Sequence, residues 1–413
     1  MLNKKKIVMA AGDGTFNLGD EAVIASFLKN LRALTKDVEV TIFSCNPKRT
    51  SKSHNVKSIK MDMSVFGVVK GLFTTIKTCS KMDLLVWGGG NLIIDESSQL
   101  YTPFHLIKVL LAKLMGKKVI VYAIGVGPLN GALGKFLTRA IINHVDIITV
   151  RDEESKKILE NVGITKPLIY VTADPAFDLK SAKELVVRKI LKEDGIIKEE
   201  KQPLIAIVPR RVFHRKSKFL FSSIIPIKYK VKFGLIDKKS KIKFEKFEKT
   251  LAMAADYLVD KINARIVFIP MQMSAEQQQQ DDKISAEIIQ KMKHKKNACM
   301  INSYKYSIQE LKGIYGQMDL VIGVRFHAII LSASMNVPVV SLPYSQKGKR
   351  LTKRLGLEKY SIPVEKVEYK NLVEKIEKVL SDKSSIKRNL KEKTKILQEK
   401  AKFNVKLVYD MLR

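Results

Sequence analysis

MDLVIGVRFHAIILSASMNVPVVSLPY occupies Met318–Tyr344 and holds the whole architecture in miniature. An apolar run, Leu320 to Ile322, closes at Gly323, and its β-branched content reads as a strand. A stretch of small and apolar residues follows at helical spacing, and then a second β-branched run, Val337 to Val340. A strand, a helix of this length and a second strand make a βαβ unit, which implies a parallel sheet. The same alternation extends towards the amino terminus. KKIVMAAG precedes EAVIASFLKNLRAL; VEVTIFS follows; KMDLLVWGGG precedes LIKVLLAKLM; KKVIVYAIGVG precedes GALGKFLTRAIINH; VDIITVRD precedes ESKKILENVG. A second series begins at QPLIAIVPRR and ends at VPVVSLPY. The strands lack strict polar alternation, as expected of a sheet covered on both faces.

The expected fold class is therefore α/β, with two doubly wound domains. The first runs over residues 1–179. A charged helical linker covers 180–202, the second domain covers 203–380, and a lysine-rich helical tail covers 381–413. Inside the second domain, Val212 to Lys243 breaks the pattern: it is rich in Lys, Phe, Tyr and Ile and reads as a basic insertion. Two such domains facing one another would set a ligand cleft between the carboxyl ends of their strands.

At 413 residues, 46% hydrophobic and 28% charged, the composition is that of a globular chain with two cores. No stretch reaches the roughly 20 uninterrupted apolar residues of a spanning helix; Lys113, Lys117 and Lys118 break the longest one. The basic amino terminus leads into glycines and acids without a small-residue cleavage site, so it reads as a first strand. Cys45, Cys79 and Cys299 are too scattered for a zinc site or a disulfide framework, which suits a reducing cytoplasm. The balance of 75 Lys and Arg against 41 Asp and Glu, a net +34, favours anionic partners without choosing among phosphorylated metabolites, anionic lipid and nucleic acid.

Candidate chemistry clusters where strands end. In GDGTFNLGDEAVIASFL a loop precedes a helix that starts near Gly19 or Asp20, and Asn17, Gly19, Asp20 and Glu21 line it. Free amides there could hold an anion, although acids at a helix start also serve the helix itself. The spacing is neither G-x-G-x-x-G nor a P-loop, which removes both nucleotide fingerprints. In LLVWGGGNLIIDE, Gly88, Gly89 and Gly90 need a special backbone path to offset their entropy, and Asn91 and Asp95 follow. AIGVGPL and TVRDEESKKIL close later strands in the same way, with Arg151 and Asp152 readable as an ion pair. Gly323 ends the late strand, and Arg325 then offers a planar fork for phosphate or carboxylate close to a helix amino terminus. His327 beside it can exchange protons near neutral pH. Arg210 and Arg211 end the strand LIAIVP and supply a second anion clamp.

Taken in order, NLGDEA (Asn17–Ala22), GGGNLIID (Gly88–Asp95), AIGVGPL (Ala123–Leu129), VRDEES (Val150–Ser155), ADPAF (Ala173–Phe177) and GVRFHAIILSAS (Gly323–Ser334) resemble the polysaccharide pyruvyl transferase family over almost the whole chain. The resemblance implies a GT-B-like pair of Rossmann-like domains. It also implies phosphoenolpyruvate as co-substrate, no other cofactor and no metal, with a glycan or lipid-linked oligosaccharide hydroxyl pair as acceptor and a pyruvate ketal as product. Its donor-binding and catalytic roles carry onto Arg325, His327 and Arg210, with Arg211 as the fallback. Asp20 or Glu21 is the candidate base from the facing domain. The basic insertion and the glutamine run Gln277 to Gln280 depart from the family pattern and leave the acceptor open.

Two other readings compete. A nucleotide-sugar-dependent glycosyltransferase would share the fold, because fold does not fix function. It would want acidic residues for a ribose near Arg325. A basic nucleic-acid-binding protein would want aromatics interleaved with basic residues, which only the insertion offers in part, so no nucleic acid is expected. The location expected is cytoplasmic, with the insertion as the segment for peripheral attachment to the inner face of an anionic membrane.

Overall fold

The computed structural model describes residues 4–11, 17–60, 67–96, 98–197, 202–213, 238–273 and 280–413. The loop Gly12–Phe16, most of the basic insertion (214–237) and the glutamines before Gln280 lie outside the described residues. The chain divides into two compact units, Met1–Leu179 with Leu397–Arg413, and Lys180–Ile396.

The first unit holds seven parallel strands: β1 (Lys5–Ala10), β2 (Val38–Ser44), β3 (Lys57–Lys60), β4 (Leu84–Gly88), β5 (Lys118–Ile124), β6 (Ile147–Val150) and β7 (Leu168–Val171). Their order in the sheet is β3-β2-β1-β4-β5-β6-β7. The chain steps outward from β1 to β3, then returns to lay β4 on the other side of β1. The strand order thus reverses between β1 and β4, and in a doubly wound sheet such a switch point is where a crevice lies beyond the carboxyl ends of the strands.

Alternation along each strand feeds two cores. Leu85 and Trp87 of β4 join Val119 and Val121 beneath the helices Gly67–Ser80, Tyr101–Leu114, Ala132–Ile142 and Glu153–Val162. Leu84 and Val86 join Ile120 and Tyr122 beneath the helix Leu18–Leu34 and the end of the last helix. All five β4 residues are buried, which accounts for the unbroken apolar run. A fully buried large apolar side chain contributes about 1.5–3 kcal/mol, so these layers dominate the unit's stability.

The second unit repeats the plan with β8 (Leu204–Val208), β9 (Arg265–Phe268), β10 (Ala298–Met300), β11 (Leu320–Gly323) and β12 (Val339–Ser341), ordered β10-β9-β8-β11-β12 and all parallel. Here the switch point lies between β8 and β11.

Two boundaries differ from those expected. The stretch 180–202 is not a separate linker: its helix Glu184–Glu193 buries Val187, Ile190 and Leu191 within the second unit. It packs so closely on the helix Ile308–Gly316 that a Cβ on Gly313 would lie 2.3 Å from Val187. Its charged residues face solvent and mask three apolar anchors. The tail is also not a module of its own. The helix Lys383–Leu412 gives its first residues to the second unit and, from Leu397, its last to the first. There Asn404, fully buried, accepts from Thr172 Oγ1 at 2.8 Å and donates to the Ala173 carbonyl at 3.1 Å, while Val405 and Val408 enter the core. Among the described residues no helix is long and apolar enough to cross a membrane.

Candidate functional site

Val208 and Gly323 are register partners at the ends of β8 and β11, so Arg210 and Arg325 each follow their strand by two residues at the second unit's switch point. Arg210 is half-buried, donates from Nη1 to the Tyr344 hydroxyl and stacks 4.2 Å from that ring. Tyr344 follows β12, the next strand in the sheet. Arg211 lies 4.9 Å over the Phe244 ring instead. Phe213, with φ 64° in the left-handed region, leads the chain into the insertion.

Arg325 is the N-cap of the helix Phe326–Ser334 and makes no capping bond with its side chain. The guanidinium is buried, and its fork is taken by Asp281: Nε donates to Oδ2 at 2.8 Å and Nη2 to Oδ1 at 2.5 Å. Nη2 also reaches Gln272 Oε1 at 3.3 Å. Asp281 in turn accepts from the Met271 and Gln272 amides at 3.2 and 3.1 Å. Burial pushes its carboxyl up from the ordinary value, while Arg325 and then Arg210 act against that. The fork is thus not open to a ligand's phosphate as expected, since a planar guanidinium offers this bidentate edge to one carboxylate at a time. Asp281 ties the β9 and β11 loops together and sets the Arg325 head in place.

His327 sits half-buried in the first turn of the same helix, its ring edge-on to Phe326 with centroids 5.3 Å apart. The imidazole thus stands at the amino end of the helix, whose dipole favours negative charge. Gly323 serves packing: a Cβ there would press on Ile329 at 3.3 Å. The second unit therefore brings Arg210, Arg325 and His327 to one switch point. Sequence reasoning missed Asp281 and Tyr344; Asp281 opens the helix Asp281–Lys291, a position where an acid is ordinary and carries no signal of its own.

In the first unit, Asn17 caps the helix Leu18–Leu34, accepting from Gly19 N at 3.1 Å and donating to Asp20 Oδ2 at 2.9 Å. Gly19 is buried in the first turn, and Asp20 is half-buried at the loop edge. Glu21 does not line the crevice. One position on, the helix turns its side chain inward, where it is buried and bonded to His54 Nε2. A carboxylate held in that pair is a structural group, not a base for a bound substrate.

Gly88, Gly89 and Gly90 end β4 at the switch point. Gly88 has φ 147°, and a Cβ on it would lie 2.1 Å from the Tyr122 carbonyl oxygen; Gly89 has φ 75° and donates to that same oxygen at 2.6 Å. Gly90 has open space where a Cβ would be. Asn91 fills the space beside Gly125, where a Cβ would come within 2.4 Å of its Oδ1. Asp95 is placed differently from the cleft-lining role expected: its Oδ2 accepts from the amides of Asn130 and Gly131 and so shapes the start of the helix Ala132–Ile142.

Beneath the glycines lies a buried hub. Arg151 donates from Nε to the Ala123 carbonyl at 2.7 Å and from Nη2 to the Gly89 carbonyl at 2.5 Å, and its Nη1 pairs with Asp174 Oδ2 at 2.6 Å. The partner is Asp174 rather than Asp152, because Asp152 caps the helix Glu153–Val162 through the Ser155 amide at 2.8 Å. GGGN, AIGVG, VRDEES and ADPAF thus converge as one bed under the crevice. Among the described residues no group of three or more His, Cys, Asp or Glu is placed to hold a metal ion.

Comparison with known proteins adds to this geometry. The protein AmsJ of Erwinia amylovora, an amylovoran biosynthesis protein, is 20% identical, over 93% of this chain and 94% of its own. Among solved structures, S. aureus MnaA with UDP superposes with a TM-score of 0.64 at 12% identity, covering 98% of this chain and 95% of that one. A glycosyltransferase from Rickettsia africae ESF-5 gives 0.59 at 12% identity, covering 100% and 99%. These likenesses establish a GT-B-like fold. Polysaccharide pyruvyl transferase, as a family pattern, matches residues 17–346, from the Asn17 helix cap through β8, β11 and the Arg325–His327 turn, and the chain belongs to that family.

Proposed function

We propose that the chain transfers the enolpyruvyl group of phosphoenolpyruvate to a hydroxyl pair on a sugar of a cell-surface polysaccharide or its lipid-linked precursor, giving a pyruvate ketal. The observation that carries this reading is the convergence of Arg210, Arg325 and His327 at the β8/β11 switch point of a chain in this family. The donor is small and carries a phosphate and a carboxylate. Arg210, cradled by Tyr344, and the amides opening the helix Phe326–Ser334 suit those two anions. Arg325, braced by Asp281, lends positive charge and holds the turn that presents His327.

The reaction then balances in four events. A proton from His327 goes to the donor's methylene carbon, which becomes a methyl. A hydroxyl oxygen of the acceptor bonds to the adjacent carbon and loses its proton to a base. The bond from that carbon to the phosphate oxygen breaks, releasing inorganic phosphate. The second hydroxyl closes the ketal and gives up its proton. No other cofactor is needed, and the setting is the cytoplasm, where both donor and lipid-linked precursors are available.

The test is phosphate release from phosphoenolpyruvate across a panel of lipid-linked and synthetic glycans, with nucleotide sugars as the second arm. We expect release only with an acceptor that offers a suitable diol. Turnover of a nucleotide sugar without release from phosphoenolpyruvate would transfer the assignment to a glycosyltransferase.

A further inference from the structure

We infer that the outer face of the helices Gly67–Ser80, Tyr101–Leu114 and Ala132–Ile142, in the first unit, docks on an anionic lipid bilayer. This inference stands apart from the donor chemistry. The middle helix buries Leu106, Val109 and Ala112 inward, as a core helix must. It also carries a second stripe outward: Leu100, just before it, Ile107, Leu110 and Leu114 are 52%, 39%, 40% and 74% exposed. The spacing of seven, three and four places them along one side of the helix. Phe73 on one neighbouring helix and Phe136 on the other are 69% and 67% exposed. Single exposed apolar residues are ordinary, but a helical stripe flanked by two exposed phenylalanines is a patch.

Charge decides what covers it. Residues 63–82 and 97–145, which contain all three helices, include no Asp or Glu. Lys77, Lys81, Lys135 and Arg139 are exposed on these helices or next to them. Asp146, the first acid after the second segment, is already bonded to Lys113 at 3.0 Å. A second copy would bring the same basic face and be repelled; an anionic bilayer offers both the complementary charge and an apolar layer a few ångströms below it.

Vesicle sedimentation tests this with the full chain, using phosphatidylcholine alone and phosphatidylcholine mixed with phosphatidylglycerol. We expect the protein to pellet with the mixed vesicles at low salt, to bind about tenfold more weakly at high salt, and to ignore the neutral ones. Leu110→Ser/Leu114→Ser/Phe136→Ser should weaken binding by about tenfold or more while its melting transition is kept, since these side chains face solvent. Should that variant melt early, Lys135→Glu/Arg139→Glu supplies the second reading, with the same loss expected. A wild-type chain left in the supernatant at low salt overturns the inference. So does undiminished binding by both variants, or loss confined to Phe219→Ser/Phe221→Ser, which would move attachment to the insertion. A dimer that dissociates in the triple variant, with no vesicle binding, would make the face a contact between copies and would also overturn it.

Discussion

Arg210 and Arg325 end adjacent strands at the same height, yet one leans on an aromatic ring and the other is locked to a buried carboxylate. The difference separates two variants. Arg210→Gln removes a half-exposed cation whose partner, Tyr344, can turn to water, so we expect donor affinity to fall by about tenfold or more with little change in melting temperature. Asp281→Ala strands the buried Arg325 guanidinium and should cost about 3–5 kcal/mol of stability, read as a large drop in the same melt. If Arg210→Gln unfolds the protein and Asp281→Ala leaves it intact, the two roles are reversed. His327→Asn keeps a polar group in the first helical turn but cannot deliver a proton; we expect the chemical step to fall about 10²–10⁴-fold with donor binding kept. Near-normal turnover would give protonation of the methylene carbon to another group. At this scale residue types and strand ends were legible in the sequence, whereas partners were not. Arg325 announced a phosphate fork, and only the fold shows Asp281, 44 positions away, occupying it. Glu21 and Asp95 stand in motifs that read as crevice-lining, but a one-residue turn of a helix and a pair of loop amides claim them for structure.

Elements were more legible than partners, because burial on both sheet faces leaves long β-branched runs and the helices between them keep a helical period. What the runs do not contain is strand order. That β4 returns to lie beside β1, and β11 beside β8, puts the glycine loop and the arginine turn at switch points, and it follows from packing of the whole unit. The charged helix Glu184–Glu193 read as a linker for the opposite reason: three buried anchors are too few to see through its lysines and glutamates. The helix Tyr101–Leu114 allows a test of its inward face. His105 is buried there, and burial, then Lys108, pulls its pKa down from 6.5 to about 3. Between those values the unfolded chain binds a proton that the folded chain refuses. Stability therefore rises with pH through this window; it is fully present above about 6.5 and is lost as pH falls towards 3, by up to about 4 kcal/mol. His105→Phe removes the titration. We expect wild type to lose ground to this variant as pH drops from 7 to 4 in paired thermal melts. A difference that stays flat with pH would mean that the imidazole is solvated enough to charge in place.

Across the whole molecule, the two units are each closed by a chain that crosses between them twice, once at 179/180 and once within the helix Lys383–Leu412. The sequence showed the second crossing only as a lysine-rich helical tail, with nothing to say which core its apolar positions enter. The structure divides them: Ile386 and Leu390 belong to the second unit, and Val405, Val408 and Met411 to the first. The first unit therefore lacks part of one core until the last residues of the chain arrive. In that core Val405 and Val408 lie with Phe27, Leu31 and Tyr122, and Asn404 bonds the segment that follows β7, next to Asp174 of the Arg151 hub. A chain ended after Ile396 would expose this apolar surface and leave the Thr172 and Ala173 groups without Asn404. Two fully buried valines and a buried asparagine bonded twice amount to several kcal/mol, a large part of what holds a domain of this size together. We expect the shortened chain to keep a cooperative melt for the second unit, because β8 to β12 and their helices are untouched, while hydrogen exchange in β1, β4 and β5 becomes fast. The milder Asn404→Ala should weaken the same strands without losing them, at about 1–3 kcal/mol. Equal protection of β1, β4 and β5 in the shortened and full chains would show that the first core closes without its carboxyl-terminal helix, and that this helix is an accessory of the second unit alone.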